Sequence, residues 1–525
     1  MSSPDGTKTE VANLAWRMER KWWTLLAVCV ATFMLLLDIT VVNVALPDIQ
    51  SSLGASLSSL QWVVDAYSLT LAAFLLTAGS LADRIGRRRV FTFGFLIFTI
   101  ASFLCGISPN ATLLNLARGL QGIGGAAMFA TSLALIAQEF QGRERGTAIG
   151  AWGATIGGAV AVGPLIGGAL TDGLGWEWIF FVNIPIGAAA IALTISKLEN
   201  LTAQDPSPID WAGLVTFSLG LFALIYGLIR GNPDGWTSPQ ILAALIGAGL
   251  LLVAFVVVEM RTRHAMLDLS LFRKPAFAGV SIVAFALSSS MFSLFLYITL
   301  YVQDVLGHSP LQAGLIFLPL TVLSFFVAPV AGKVSSHIPI RFLVGVGLTF
   351  VGVALLLMHG VELGDSWTSL LAGFLVAGAG IGMTNPGIAQ TAIGVVPPQK
   401  AGMASGINNT FRQVGIATGV AGLGAIFQSQ VSSKLAELAP PNTPSSFADA
   451  VSSGGIHAAV QQAPASAQEQ LTTAANQAFI SGFNEILLVG AIVALVGAVC
   501  GFVLVRSQDF VVQPSGDTAT EPAAA

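Results

Sequence analysis

Fourteen long apolar runs alternate with short polar segments along the 525 residues, at about 25–46, 61–82, 90–108, 111–136, 147–170, 179–197, 211–229, 240–258, 277–302, 312–332, 342–358, 367–390, 402–427 and 480–505. Most are roughly 19–26 residues long, enough at about 1.5 Å per residue to cross a hydrocarbon core about 30 Å thick. In hydrocarbon the backbone has to satisfy its own hydrogen bonds, so runs this apolar predict helices. The alternating pattern of a membrane-barrel strand is absent. The fold class predicted is an all-α integral membrane protein. Segment 199–210 is polar and contains Pro, the composition of a linker. Segment 428–478, rich in Ala, Ser, Gln and Pro, reads as an extracellular loop, either flexible or carrying one or two short amphipathic helices. The tail after 507 is polar and small-residue-rich, a composition that favours disorder.

Two spacings indicate a duplication. The basic stretch GSLADRIGRRR at 79–89 returns in degraded form as GKVSSHIPIR at 332–341, pairing Gly79 with Gly332 and Arg88 with Arg341. RGLQGIGGA at 118–126 has an echo in VAGAGIGMT, which pairs Gly122 with Gly380. The organisation that follows is a tail at 1–24, a six-helix bundle at 25–198, a linker with an inserted two-helix hairpin at 199–276, a second six-helix bundle at 277–505 and a tail at 506–525.

Composition sharpens this picture. Apolar residues make up 54% of the chain and charged residues 10%, far from a soluble globular domain. With the N-terminal tail and its Lys8, Arg17, Arg20 and Lys21 in the cytoplasm, 19 of the 23 Lys and Arg fall on the cytoplasmic side. The expected topology is multi-pass in the cell membrane with both termini cytoplasmic. The first 21 residues do not resemble a cleavable signal peptide. Cys29, Cys105 and Cys500 all lie in spans and read as packing residues. The five histidines sit in loops or at span ends, so no metal site is expected. No nucleotide loop and no Ser/His or His/Asp cluster is present, which argues against ATP use and against a membrane enzyme. Nothing points to nucleic acid.

The chemistry concentrates in five ionisable residues inside spans: Asp38, Asp65, Arg118, Arg412 and Glu485. A charge near the bilayer centre costs about 2.5–3.5 kcal/mol on insertion scales, so each needs a partner or a wet cavity. Counting about 1.5 Å per residue, Asp38 and Arg118 reach similar depth, so they are expected to face each other directly or through water. A proton on Asp38 would weaken that pairing, which makes it a candidate proton carrier; the alternative is a structural helix–helix link. Arg118 stays protonated, so its task would be to tune a neighbouring carboxylate. Asp65 is either a second proton or cation site at the cavity mouth or an interfacial residue near Trp62 and Tyr67. Arg412 either lines the cavity or braces the inner gate, and Glu485 reads as interfacial. Span five is dense in Gly; Gly153 and Gly157, and Gly163 and Gly167, keep the spacing that permits close helix contact, and Pro164 should bend the helix.

These stretches resemble the major facilitator superfamily, and within it the fourteen-span drug:proton antiporters. LDITVVNVALP (37–47) is similar to that family's first-helix signature, GSLADRIGRRR to the loop 2–3 motif and RGLQGIGGA to the fourth-helix motif. GGAVAVGPLIGGAL (157–170) resembles the fifth-helix antiporter motif, and WEWIFFVNIPIG and NNTFRQVG also match family stretches. Ala159 and Glu177 depart from the usual residues. Spans ten and thirteen lack the acidic residue that some dication exporters place there, which argues against dications. The resemblance implies the major facilitator fold and no cofactor, with a proton gradient as energy source. The implied partners are a small-molecule substrate and protons, in the lipid bilayer of a bacterial inner membrane, with the chain a monomer. Candidates for proton coupling are Asp38, Arg118 and Asp65. Candidates for the substrate cavity are Asn43, Trp62, Tyr67, Gln121, Phe292, Phe295, Tyr297, Asn409 and Gln413; single aromatics in span nine are equally good packing residues. Candidates for gating are Asp83, Arg84, Gly86, Arg87, Gly163, Pro164, Gly167, Gly168 and Arg412, with the bent fifth helix packing on the second bundle. The expected function is proton-coupled export of amphipathic drugs or lipophilic cations by alternating access. The alternative is a dedicated exporter of one metabolite; an importer is disfavoured by the fifth-helix motif.

Overall fold

The computed structural model describes residues 5–511, apart from Ser56, 200–207, Arg263, His264, Ser336, 441–442 and Gln462; within helices it does not describe the side chains of residues 5–19, nor those of several others, Asn43 and Pro164 among them. The apolar runs fold as helices, and among the described residues there is no strand. The first half comprises α1 (Asp5–Leu53), α2 (Leu57–Ile85), α3 (Arg87–Gly106), α4 (Ala111–Glu139), α5 (Gly142–Leu174) and α6 (Trp178–Lys197). A hairpin of α7 (Trp211–Asp234) and α8 (Pro239–Arg261) follows. The second half comprises α9 (Pro275–Val305), α10 (Leu318–Val334), α11 (Ile340–Met358), α12 (Trp367–Gly394), α13 (Pro398–Leu438) and α14 (Ala465–Leu504). By length and composition, twelve helices among the described residues can cross a membrane. α5 is helical throughout Gly142–Leu174, with a described apolar stretch at Leu165–Leu174, and the expected tenth span is the apolar helix Leu318–Val334.

Local chemistry sets the boundaries. Asn110 caps α4 by accepting from the Leu113 amide at 2.9 Å, and Asp210 caps α7 by accepting from Gly213 at 2.8 Å. Ser309 and Gln312 form a capping box ahead of α10, on the short helix Pro310–Ile316. Gly86 breaks α2 from α3 at φ +109°, a conformation that a Cβ strains. Two turns of α9, Ser288–Phe292 and Tyr301–Val305, are π-helical. Most of segment 428–478 is also helical. It continues α13 to Leu438, forms short helices Ser445–Ser452 and Ile456–Gln461, and starts α14 at Ala465. Phe447, Val451 and Ile456 bury their side chains in the core of the second half.

In the first half α4 packs on α2, α3 and α1, while α1 also packs on α5 and α3 on α6. In the second half α12 packs on α10 and α11, and α14 on α9, α11 and α13. The halves meet along two seams, α2 against α13 and α5 against α10. The hairpin lies on α2 and α13. Leu250, Val253 and Met260 of α8 stay exposed, as suits a surface facing lipid tails. On the connector into α9, Asp268 pairs with Lys400 at 2.6 Å. Partial burial works against its charge, but hydrogen bonds from Lys400 and Ser270 outweigh that and hold it below the ordinary carboxylate range.

Candidate functional site

A buried polar centre joins five helices of the first half. Asp38 of α1 is 2% exposed and Arg118 of α4 is 1% exposed, and the two form an ion pair, Arg118 Nη1 donating to Asp38 Oδ2. Gln121 Nε2, one turn along α4, donates to Asp38 Oδ1 at 2.9 Å, and its carbonyl accepts from Arg118 Nη1 at 2.7 Å. Asn183 Nδ2 of α6 reaches Asp38 Oδ1 at 3.4 Å and Ser102 Oγ of α3 at 3.1 Å. Arg118 Nε donates to the Val63 carbonyl of α2 at 3.0 Å, and its guanidinium lies 4.4 Å from the Tyr67 ring centroid. A carboxylate in a dry interior is costly unless a cation and hydrogen bonds compensate it, and here both do. Three of these donors, from Arg118, Gln121 and Asn183, are aimed at the Asp38 carboxylate. Sequence reasoning paired Asp38 with Arg118, but it assigned Gln121 to the substrate cavity and missed Ser102 and Asn183. These are neutral, and their only signal was a polar residue within an apolar run.

The basic hinge closes one end of the molecule. Asp83 Oδ1 accepts from Arg87 Nη2 at 2.9 Å and Nε at 3.1 Å, and from the Gly402 amide at 3.1 Å; Asp83 Oδ2 accepts from the Met403 amide at 2.8 Å. One carboxylate thus ties α2 and α3 to the N-terminus of α13, where the helix dipole favours a negative charge. Arg87 also donates to the Pro398 and Ala134 carbonyls. Arg84 turns elsewhere, donating to the carbonyls of Pro208 and of Ala265, the latter at 3.0 Å, at the two ends of the hairpin.

The other candidates divide between packing and seams. Trp62 stacks on Tyr226 of the hairpin at 5.9 Å, and Arg230 lies 5.9 Å from the Trp62 ring while pairing with Asp234 at 2.8 Å. Asp65 lies in the field of these two charges. Tyr67 is buried beneath Arg118. Phe292, Phe295 and Phe317 form an edge-to-face series, and Tyr297 packs on Phe427 at 5.0 Å. Asn409 is buried and Gln413 half-buried on α13. Arg412, 9% exposed, donates from Nη1 to Asn385 Oδ1 of α12 at 3.0 Å and lies 5.6 Å from the Phe292 ring. The fifth-helix glycines split by direction: a Cβ on Gly163 would strike Thr40, and one on Gly167 would lie 3.2 Å from Val41 Cα, so both face α1 of their own half. Contact with the second half falls to Gly146, Gly150 and Gly157, against α10, and to Gly153, against α10 and α12. Gly168 has open space. The side chains of Asn43 and Pro164 lie outside the described residues.

The family model for the Major Facilitator Superfamily matches residues 28–420. The multidrug resistance protein Stp of Mycobacterium tuberculosis is 37% identical over 78% of this chain and 77% of its own. The tetracenomycin C resistance and export protein of Streptomyces glaucescens is 34% identical over 91% of this chain and 90% of its own. The drug efflux pump JefA of M. tuberculosis is 32% identical over 91% and 97%. Among solved structures, the proton:xylose symporter XylE superposes with a TM-score of 0.59 at 14% identity, covering 93% of this chain and 97% of that one. The human organic anion transporter MFSD10 does so at 0.56 and 14%, over 90% and 99%. These two likenesses concern the fold alone.

Proposed function

Because the chain belongs to the major facilitator superfamily, we propose that it is a proton-coupled antiporter that exports amphipathic drugs or antibiotics by alternating access. The drug-export half of this reading is supported by relatives named for multidrug resistance, drug efflux and antibiotic export that share up to nine-tenths of the chain. The proton half rests on one observation, a buried Asp38 carboxylate held by Arg118, Gln121 and Asn183 in the interior of a membrane bundle. In this reading fourteen spans cross the bacterial inner membrane, both termini are cytoplasmic, and the hinge end faces the cytoplasm. The clasp of Asp83 on α13 is then the closed inner gate. Protonation of Asp38 from outside frees Arg118 from its partner and loosens the first half. Rocking of the halves then opens the inner side, and loss of the proton restores the pair.

The test uses inside-out membrane vesicles carrying a respiration-driven, acid-inside gradient. Ethidium addition should collapse part of that gradient, read by a quenched acridine dye, in wild-type vesicles and not in Asp38→Asn vesicles. Ethidium uptake that proceeds at the same rate after a protonophore would exclude antiport. A dedicated exporter of a single metabolite is the second reading, favoured by relatives named for one antibiotic each. It predicts no ethidium response from a protein that is folded and inserted.

A further inference from the structure

The two halves treat their buried arginines differently. Arg118 has a carboxylate; Arg412 pairs with none among the described residues, and its partner is the neutral Asn385. A guanidinium keeps its charge at any physiological pH, so this one is buried with no compensating anion among the described residues. Its neighbours are hydrogen-bonding groups with unused capacity. Asn408 and Gly415, one turn to either side of Arg412, share its helical face by i, i+4 and i, i+3 spacing. Asn408 is 2% exposed, and its Nδ2 has no partner among the described residues. Gly415 packs on α9 where the π turn begins, its Cβ position 2.6 Å from the Phe285 carbonyl and 3.1 Å from Ser288 Cβ, and the fully buried Ser288 hydroxyl has no partner among the described residues. Phe292 of the same π turn lies 5.6 Å from the guanidinium. A π turn inside a helix commonly marks a functional site, because it re-aims side chains and frees backbone groups.

A cation and an amide N–H on one face of α13, with a hydroxyl and an aromatic ring on the adjoining π turn of α9, form a receptor for an anionic oxygen group attached to an apolar body. We propose that Arg412, Asn408 and Ser288 form an acid-recognition subsite for the carboxylate or phenolate of an amphipathic substrate, with the substrate's aromatic part against Phe292. The proposal rests on the exporter reading and narrows its substrate class: the preferred cargo carries an acidic oxygen group, not only a cation. The same subsite assigns Arg412 a positioning task beyond bracing α13 on α12.

The experiment measures binding of three fluorophores to the purified full-length protein in lipid nanodiscs by fluorescence anisotropy: dansylglycine, whose one acidic group is its carboxylate, its methyl ester and ethidium. Wild type should bind dansylglycine at least about tenfold more tightly than the ester, the size of one charge-assisted contact. Arg412→Gln should abolish that preference, Arg412→Lys should retain part of it, and Asn408→Ala should lower it severalfold. No preference in wild type, or a preference that survives Arg412→Gln, overturns the subsite. Should Arg412→Gln fail to fold, as judged by melting, Asn408→Ala decides, and an unchanged preference there overturns it. Ethidium binding without an acid preference sinks the subsite alone. A wild type that binds none of the three dyes removes the broad exporter reading, and the subsite with it.

Discussion

At the scale of single residues, the account depends on how a charge survives in an apolar interior. Asp38 accepts from Arg118, Gln121 and Asn183, so its neighbours depend on it as much as it depends on them. Arg118→Ala would leave a buried unpaired carboxylate, and the expected loss is about 3–5 kcal/mol of stability, read as a lower melting temperature in detergent. Asp38→Asn keeps the volume, but its amide N–H2 replaces one accepting oxygen and leaves Arg118 without its anion, so it should also melt below wild type while losing coupling. Asn183→Ala should cost about 1 kcal/mol, the worth of one hydrogen bond; a melt indistinguishable from wild type would show that Asn183 does not support the carboxylate. Much of this centre was legible beforehand, because an Asp and an Arg stand out in apolar runs and helical rise alone equates their depth. Ser102 and Asn183 were not, since neutral polar residues are ordinary in membrane helices. Arg412 was legible as an anomaly, but its surroundings were not, because they depend on α9 leaving regular helical geometry at Ser288–Phe292.

At the scale of elements, close approach of backbones builds the seams. The glycines that pair in the duplicated hinge, Gly79 and Gly332, occupy matching places: a Cβ on Gly79 would strike the Gly402 carbonyl of α13, and one on Gly332 the Gly146 carbonyl of α5. One turn further, Gly406 faces Leu75 and Leu76, and Gly150 faces Pro329. Each seam therefore joins the second helix of one half to the fifth helix of the other through a Gly-xxx-Gly pair. The hinge repeat was visible in the chain, but its partners Gly146 and Gly402 were not singled out. The spacing singled out Gly153 and Gly157, which do face the second half, and Gly163 and Gly167, which face α1. Gly402→Leu should hold the α2–α13 seam open. The expected result is faster maleimide labelling of a cysteine placed at the fully buried Ser405, with loss of efflux and normal membrane insertion. Labelling as slow as in the parent would mean that the seam tolerates the side chain. Segment 428–478 was open to two readings. The helical one holds because Phe447, Val451 and Ile456 have an apolar core to pack on, which composition averaged over the segment conceals.

At the scale of the whole molecule, two halves are clasped at the hinge end, and the hairpin bridges both. Asp83 fastens the clasp by binding Arg87 and two amides of α13 with one carboxylate. Asp83→Ala should weaken it, shifting the population toward the state open at that end, with faster Ser405→Cys labelling as the readout. The hairpin contacts α2 through Thr77 and Ser218 at 3.0 Å and through Arg230 and Gln61 at 3.0 Å, and contacts α13 through Asn232 and the Ala421 carbonyl at 2.9 Å. It therefore has to slide or yield whenever the α2–α13 seam opens. Proton movement through Asp38 is what drives export in this reading. It is tested most directly by ethidium efflux from drug-sensitive bacterial cells expressing this chain, with and without a protonophore, beside Asp38→Asn at matched expression. The account predicts efflux in wild type alone, abolished by the protonophore and absent from the variant. Efflux that persists in Asp38→Asn and still responds to the protonophore would contradict it, by placing the coupling carboxylate elsewhere.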